Sequence, residues 1–504
     1  MSRLPPPRPA LVALFLSAMT LAVYWPSLTH GFVNYDDPSY VAENAAVRGG
    51  LSAAGAVAAF RSPPAGYPEP LSMLSHELDV ELFGLNPAGH HLTNVLLHLG
   101  AVLLLFFALL RMTGDPWPSA FAAAVFAVHP LQVESVAWVA ERKTVLNGLL
   151  TMLTLFLYAG YARRPSRGRY AAVAAAFALS LAAKSVVVGL PPALLVLDVW
   201  PLRRREPLAR LALEKLPLLA LSALSAALVL AGTRGVAGGI PLDVKAAAAV
   251  MGVCAALGRA LWPSGLCVLY PYPTAFPPLK IAAEAAALIA ATVLAARAAR
   301  RRPWWLAGWL WFLLMIAPYS GIVQVGDQAT ADRYMYLALV GPALAAAWGL
   351  PELVALPEGA WAAAGGLALS ALMVASGLQL RYWRNGLLLF ERAASLHPES
   401  PVIRYDLGDA LDRAGDVPAA LAQYRAALAG RPAYVQAADA LAVDLARAGR
   451  LDESRAVLEE ILRLAPADDP KREVLERNLE LVRRARPRAR EKLSSPHGAR
   501  ADHR

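Results

Sequence analysis

Residues 92–111 read LTNVLLHLGAVLLLFFALLR. As a helix, these twenty residues cover about 30 Å at about 1.5 Å each, the thickness of bilayer hydrocarbon, and their one charge is the terminal Arg111. The stretch predicts a membrane-crossing helix. Similar runs recur at 9–29, 118–138, 143–161, 170–183, 185–200, 211–231, 280–297, 303–318, 334–350 and 360–380. Composition agrees: of 504 residues 57% are hydrophobic and 17% charged, with a mean hydropathy of +0.43. Soluble globular chains carry about 25% charged residues. An ordinary soluble enzyme is therefore excluded, as are a disordered chain, a collagen and, with only two cysteines, a disulfide scaffold. Cys254 and Cys267 read as small buried hydrophobes.

Charge then orients the runs. The first, 9–29, has no small-x-small cleavage site before Gly31 and reads as an uncleaved anchor rather than a signal peptide. Arginines cluster between runs: Arg3 and Arg8; Arg111; Arg163, Arg164, Arg167 and Arg169; Arg203, Arg204, Arg205 and Arg210; and Arg297, Arg300, Arg301 and Arg302. Such short cationic loops stay cytoplasmic. The net charge of +10 therefore reports topology, and no nucleic-acid partner is expected. A crossing at 246–262 would throw the Arg297–Arg302 cluster outside, so this stretch reads as re-entrant or interfacial. The expectation is about eleven spans, with the N-terminus cytoplasmic and the C-terminus outside.

Two segments break the pattern. The loop 30–91 is too long for a connector, and within it PLSMLSHELDVELFGL (70–85) spaces its apolar residues for a helix lying on the outer surface. At 381 the charge density jumps: residues 1–380 hold 45 charges and the remaining 124 hold 41. Beyond that point Pro398, Pro432 and Pro466 repeat every 34 residues, as do Gly415 and Gly449. With Gly408, Ala420, Tyr424 and Ala427 at packing places, this is the tetratricopeptide repeat (TPR) pattern. Helices are expected at 401–414, 417–430, 435–448 and 451–464, forming two repeats in 401–468. A partial repeat or linker helix, 382–396, lies in 381–400, and 469–504 forms a charged helical or disordered tail, with disorder expected from 483. Such arrays bind extended peptides or partner proteins on a concave face, or pack on the rest of their own chain.

Ionisable residues among apolar runs are the candidates for chemistry. Asp36 and Asp37, in NYDDPSY just outside the first run, offer a general base or a divalent-cation ligand; a plain polar turn would use the same residues. HPLQVESVAWVAERK (129–143) gathers His129, Glu134, Glu141, Arg142 and Lys143 between two runs, and one continuous helix would turn Glu134 and Glu141 to the same side. That set suits a phosphate or a sugar, and a solvated interfacial loop would also present it. Lys184 and Arg333 are isolated cations beside apolar segments on the non-cytoplasmic side. His76, His90, His91 and His98 crowd the end of the long loop, but with no Cys or HExxH among them they are read as hydrogen-bonding residues and no metal site is assigned. No GxGxxG, P-loop or nucleophile elbow is present.

Taken together and in order, NYDDPSY (34–40), GLNPAGHHLTNVLLH (84–98), HPLQVESVAWVAERK, AAKS (182–185), LPPALLVLDVWPL (190–202) and VQVGDQATADRYMYL (323–337), followed by TPRs, resemble the transmembrane and TPR-containing O-mannosyltransferases of the GT-C superfamily, in a bacterial form. The resemblance covers nearly all of 1–468. It implies an all-α, multi-pass membrane domain of GT-C type over 1–380 with a TPR α-solenoid behind it. It further implies an inverting glycosyltransferase of the cell (inner) membrane that moves a sugar from a polyprenyl-phosphate donor to a hydroxyl on the outer face. The acceptor is expected to be a protein or peptide engaged by the TPR groove. In such enzymes an acidic residue of the first outer loop is the base, which maps onto Asp36 with Asp37 second. Arg142, Lys143, Lys184 and Arg333 are assigned to the donor phosphate, with His91, His129, Glu134 and Glu141 as further site candidates. Relatives usually carry Asp where this chain has Thr144, and a segment ending in Pro-Leu-Thr where it reads YPEPLS (67–72), which bears on donor identity. No cofactor is fixed by the sequence, and a divalent metal is left open. Two other readings remain: a non-catalytic TPR scaffold for envelope assembly, and a transferase acting on a lipid-linked glycan.

Overall fold

A computed structural model describes residues 7–61, 64, 68–232, 241–273, 275–320 and 328–494. Arg3, Tyr67 of YPEPLS, residues 323–327 of the VQVGD motif and 495–504 of the tail lie outside the described residues. The described chain is α-helical apart from a short antiparallel pairing of Tyr270–Pro271 with Gln328–Thr330. It forms two compact units, Met1–Asn385 and Gly386–Arg504.

The first unit is a bundle of apolar helices. Pro87–Thr113, the helix containing the 92–111 stretch, packs along Arg142–Arg163, which packs in turn on Arg167–Ala183. The bundle turns apolar residues outward: Leu14 is 67% exposed and Leu367 74%, while His98, Arg142 and Asp198 are fully buried. A chain bathed in lipid has this arrangement, because only its interior can satisfy polar groups.

Among the described residues six helices are long and apolar enough to cross a membrane, or nine if three bent pairs each count as one. By length and composition this stands below the expected eleven. The candidates at 170–183, 185–200 and 303–318 are not among those nine. The stretch read as re-entrant, 246–262, falls in one continuous helix, Leu242–Leu261, of 20 residues. A re-entrant loop needs a break that this helix lacks, so Asp243–Leu261 joins the candidate spans.

Where one span was expected at 118–138, the chain breaks. Pro116–Val128 ends at His129, which is extended (φ −72°, ψ 136°) because Pro130 disfavours a helical residue before it, and the next segment leaves at 52°. A second bent pair, Asp332–Ala338 with Val340–Leu353, turns by 53°. Pro70–Phe83 is helical as predicted, but its buried face is polar (Ser72, His76, Glu77, Asp79), while Leu82 and Phe83 are exposed. The loop helix therefore turns its polar side to the bundle and its apolar side outward.

The second unit follows the 34-residue period closely. Gly386–Leu396 precedes Pro401–Arg413, Val417–Gly430, Val435–Arg447 and Leu451–Leu464. Gly415 and Gly449 take positive φ (86° and 74°) at equivalent turns, a conformation in which a Cβ is strained. A final helix, Arg472–Ser494, corrects the expectation of disorder from 483 as far as residue 494, its Leu475, Leu479 and Val482 closing the core of the last repeat.

Gly408 sets the spacing within the first full repeat, since a Cβ there would lie 2.5 Å from Cε1 of the buried Tyr424. Gly408→Val should therefore cost roughly 1–3 kcal/mol by overpacking. Hydrogen exchange on the full chain checks this: protection should fall across 401–430, and unchanged protection there would refute the packing argument.

Candidate active site

Three carboxylates and three cations meet inside the first unit. Glu141 is the hub: its Oε2 lies 3.1 Å from Lys184 Nζ, and its Oε1 lies 3.9 Å from Lys143 Nζ and 3.5 Å from Arg333 Nε. Glu134 takes the Arg333 guanidinium on one oxygen and the Arg333 backbone N–H on the other, the latter at 2.9 Å. Glu69 lies 4.0 Å from Lys143. Tyr40 bridges these last two, donating to Glu69 at 3.1 Å and accepting from Lys143 at 2.9 Å, with its ring 4.0 Å from the same ammonium. Thr144 donates to Glu141 and accepts from Lys184 at 2.7 Å. All six ionised side chains are less than a tenth exposed.

Local chain breaks put them there. Trp138 is extended (ψ 119°), so Glu134 and Glu141 converge on Arg333 from separate short helices rather than from one helical face. Lys184 is the first residue past Arg167–Ala183, held by the Asn147 amide, which donates to Ser180 O, Ser180 Oγ and Lys184 O at 2.9–3.0 Å. Arg333 lies in the short turn that opens the second bent pair. Trp138, Tyr334 and Tyr319 supply ring faces: Arg333 stands 5.4 Å over Trp138 and 5.3 Å over Tyr334, and Lys184 stands 5.9 Å over Tyr319.

The two aspartates divide their roles. Asp37 is 1% exposed, and its carboxylate accepts from the backbone N–H groups of Val33 and Ala140, both at 2.8 Å, clipping the NYDD turn to the break after Trp138. Burial raises its carboxyl from 3.8 to about 7, against those two N–H bonds. Asp36, half-buried, keeps some access and shares an electrostatic attraction with Lys143. Burial likewise raises Glu69, against the pull of Lys143 and Lys184.

Not every candidate joins the cluster. Arg142, next to Lys143 in sequence, points elsewhere: it is fully buried and donates to Asn94, to Ser75 Oγ at 2.8 Å, to Asp79 at 2.6 Å and to His90 O at 2.8 Å. Those bonds fasten Pro70–Phe83 to the bundle and leave the guanidinium no free edge. His129 caps its own turn through Leu131 N and reaches Ala260 O at 3.0 Å. His91 is 3.4 Å from Gly31 O, at the base of the NYDD loop. Sequence reading missed Glu69, Tyr40 and Tyr319 and left Thr144 without a role. Glu69 left one signal, a carboxylate directly before the Pro that opens a helix.

An all-α bundle whose broken apolar helices enclose a balanced ionic cluster, followed by a repeat solenoid, is the architecture of a multi-pass membrane protein with an internal site. Residues 378–435 and 405–469 match the tetratricopeptide repeat family model. Curated relatives place the chain further: it is 30% identical over 177 residues (33% of this chain, 20% of the relative) to protein O-mannosyl-transferase Tmtc1 of Drosophila melanogaster. It is 40% identical over 90 residues (18% and 11%) to protein O-mannosyl-transferase TMTC2 of Homo sapiens, and 33% over 159 residues (30% and 17%) to TMTC1 of Mus musculus. Over these stretches the chain is similar to protein O-mannosyl-transferases, and the matches span a fifth or less of those proteins' length. Among solved structures, ArnT from Cupriavidus metallidurans bound to undecaprenyl phosphate aligns over 91% of this chain and 81% of that one, with a TM-score of 0.37 and 18% identity.

Two outcomes follow from the electrostatics. Lys184→Met strips Glu141 of its nearest cation and should lower stability by roughly 3–5 kcal/mol, while adding Glu141→Gln should recover part of the loss. Thermal unfolding of the detergent-purified chain measures both, and simple additivity would deny the coupling. For Asp37 the folded protein holds its proton more tightly than the unfolded chain does. The stability this contributes is complete below about 3.8 and is lost as pH rises through about 7. The melting temperature should therefore fall from about pH 5 to about pH 8, less steeply in Asp37→Asn; equal slopes would remove Asp37 as the source.

Proposed function

We propose that this protein is an inverting membrane glycosyltransferase of GT-C type that moves a sugar from a polyprenyl-phosphate carrier to a hydroxyl group, on a protein or peptide, at the non-cytoplasmic face. One observation carries the reading: Lys143, Lys184 and Arg333 converge from three separate segments on Glu141, beside the loop that holds Asp36. Three cations gathered where the apolar helices break suit a phosphate whose prenyl chain stays in lipid. The similarity to protein O-mannosyl-transferases favours mannose as the first sugar to test.

In this reading Asp36 accepts the proton of the acceptor hydroxyl as its oxygen attacks the anomeric carbon. The bond from that carbon to the phosphate oxygen breaks with inversion. Lys143, Lys184 and Arg333 balance the charge that gathers on the departing prenyl phosphate. Glu141 and Glu134 hold the three cations in place until the phosphate arrives, and Asp37 sets the position of Asp36. Arg142 acts at one remove, by fixing the loop helix.

Sidedness has support independent of the number of crossings. Lys143 is the second residue of the Arg142–Arg163 helix and Arg163 its last, about 30 Å away, where Arg163 donates to Arg111 O. Arg204 pairs with Glu214 and Asp198 near that same end, under Tyr158 and Tyr161. An arginine-rich end facing the cytoplasm leaves the cluster outside. Arg384 O accepts from Gly31 N at 3.1 Å beside the NYDD loop, which supports an exit of the last apolar helix, Glu358–Leu380, on the outer side. Within the repeats, a groove lined by Leu428, Pro432, Val457 and Leu464, with Arg425 and Glu460 on its rim, suits an extended peptide.

Transfer by the purified full-length protein from a polyprenyl-phosphate-linked mannose to peptide acceptors tests the reading. Asp36→Asn should lower the rate about 10²–10⁴-fold with the fold intact. Lys184→Gln should weaken use of the donor and leave acceptor KM unchanged. Wild-type transfer by both Asp36→Asn and Asp37→Asn would rule out the base, and transfer to glycan lipids alone would redirect the acceptor.

A further inference from the structure

Outside the ionic cluster, a second group of buried side chains lies within the first loop and the helix after it. His76 and Asp79 are three residues apart on one face of Pro70–Phe83. The chain then reverses at Gly84 (φ 61°) and re-enters a helix at Pro87, which lays His90 against both. A nitrogen from each ring and a carboxylate oxygen of Asp79 lie within 4.8 Å of one another, and all three residues are 2% exposed or less.

The hydrogen bonding shows what this group lacks. His90 Nε2 is 3.1 Å from Gly84 O, which can only accept, so that nitrogen carries the hydrogen and Nδ1 of the neutral ring presents a bare lone pair. Nδ1 faces Asp79 Oδ2 at 3.4 Å, acceptor toward acceptor. Among the described residues neither ring nitrogen of His76 has a hydrogen-bond partner, although the ring is wholly buried. Buried imidazoles are ordinarily paired. Asp79 is already oriented, with Thr93 Oγ1 donating to Oδ1 at 2.8 Å and Arg142 to Oδ2 at 2.6 Å, which leaves Oδ2 a second lone pair.

We infer that His76, Asp79 and His90 form a binding site for a divalent metal of the zinc type, which ties the first-loop helix to the start of the Pro87–Thr113 helix. Two neutral imidazoles and one carboxylate, with a fourth position for water, match that ion's ligand preference and number. Two of the three ligands have the outer partner that such sites use: Gly84 O fixes the tautomer of His90, and Thr93 with Arg142 aims Asp79. The site involves none of the six groups around Glu141 and goes beyond the transfer reaction, because it predicts bound metal whether or not any sugar moves.

The full-length protein, purified without a histidine tag, is stripped with EDTA, reloaded with zinc and desalted, and its metal is counted by mass spectrometry. Wild type should retain about one zinc per chain. His76→Phe/His90→Phe, which keeps an aromatic ring at each place, should retain at least about tenfold less. Zinc should also raise the melting temperature of the wild type and not that of the double variant. Should the double variant fail to fold, cobalt loaded into the stripped wild type decides: intense visible bands of a four-coordinate ion support the site. Failure of the wild type to take up zinc, or equal retention by a folded double variant, overturns it.

Discussion

Six ionised side chains sit inside a bundle whose outside is apolar, and their mutual neutralisation is the condition on which the rest of the unit depends. Glu69, Glu134 and Glu141 face Lys143, Lys184 and Arg333, so none is left uncompensated in a medium where a lone charge costs several kcal/mol. A regular helix cannot aim so many side chains at one point, and the chain meets the demand by breaking. Breaks at His129, Trp138 and Leu339, and the end of a helix at Lys184, all fall near the cluster. Irregular backbone at membrane depth persists only where protein surrounds it, and here the broken ends carry the very groups that need surrounding.

The same condition explains the first loop. A loop helix with a conventional amphipathic pattern would press apolar residues on the bundle, but Pro70–Phe83 brings Ser72, His76 and Asp79 inward. Ser72 Oγ donates to Ala183 O beside Lys184, and Asp79 anchors Arg142. The loop is thus a polar lid whose contacts are specific, and its outward Leu82 and Phe83 are left for an apolar surrounding.

Periodicity made the repeats readable almost to the residue, because prolines and glycines 34 apart mark turns whatever the side chains between them do. The apolar helices were legible as apolar and not as continuous. A hydropathy sum over 118–138 is insensitive to Pro130, and it cannot separate a helix that crosses from one that bends by 52°. Arg142 and Lys143 show the limit for the site: adjacent in sequence, they diverge by about 100° around a helix, so one serves the loop and the other the cluster. The repeat unit is what the family match covers, whereas Glu69, Tyr40 and the His76–Asp79–His90 group depend on contacts between distant segments. His98 does form the hydrogen bonds expected of it; among the described residues His76 does not.

The grip of Asp37 falls on main-chain N–H groups, those of Val33 and Ala140, and not on side chains. Every residue except proline carries that donor. Positions 33 and 140 are thus free to drift among residues of similar volume without loosening the NYDD turn, while Asp37 has no such latitude. Across descendants of this chain, substitutions should accumulate at both ends of the clip while its carboxylate stays fixed.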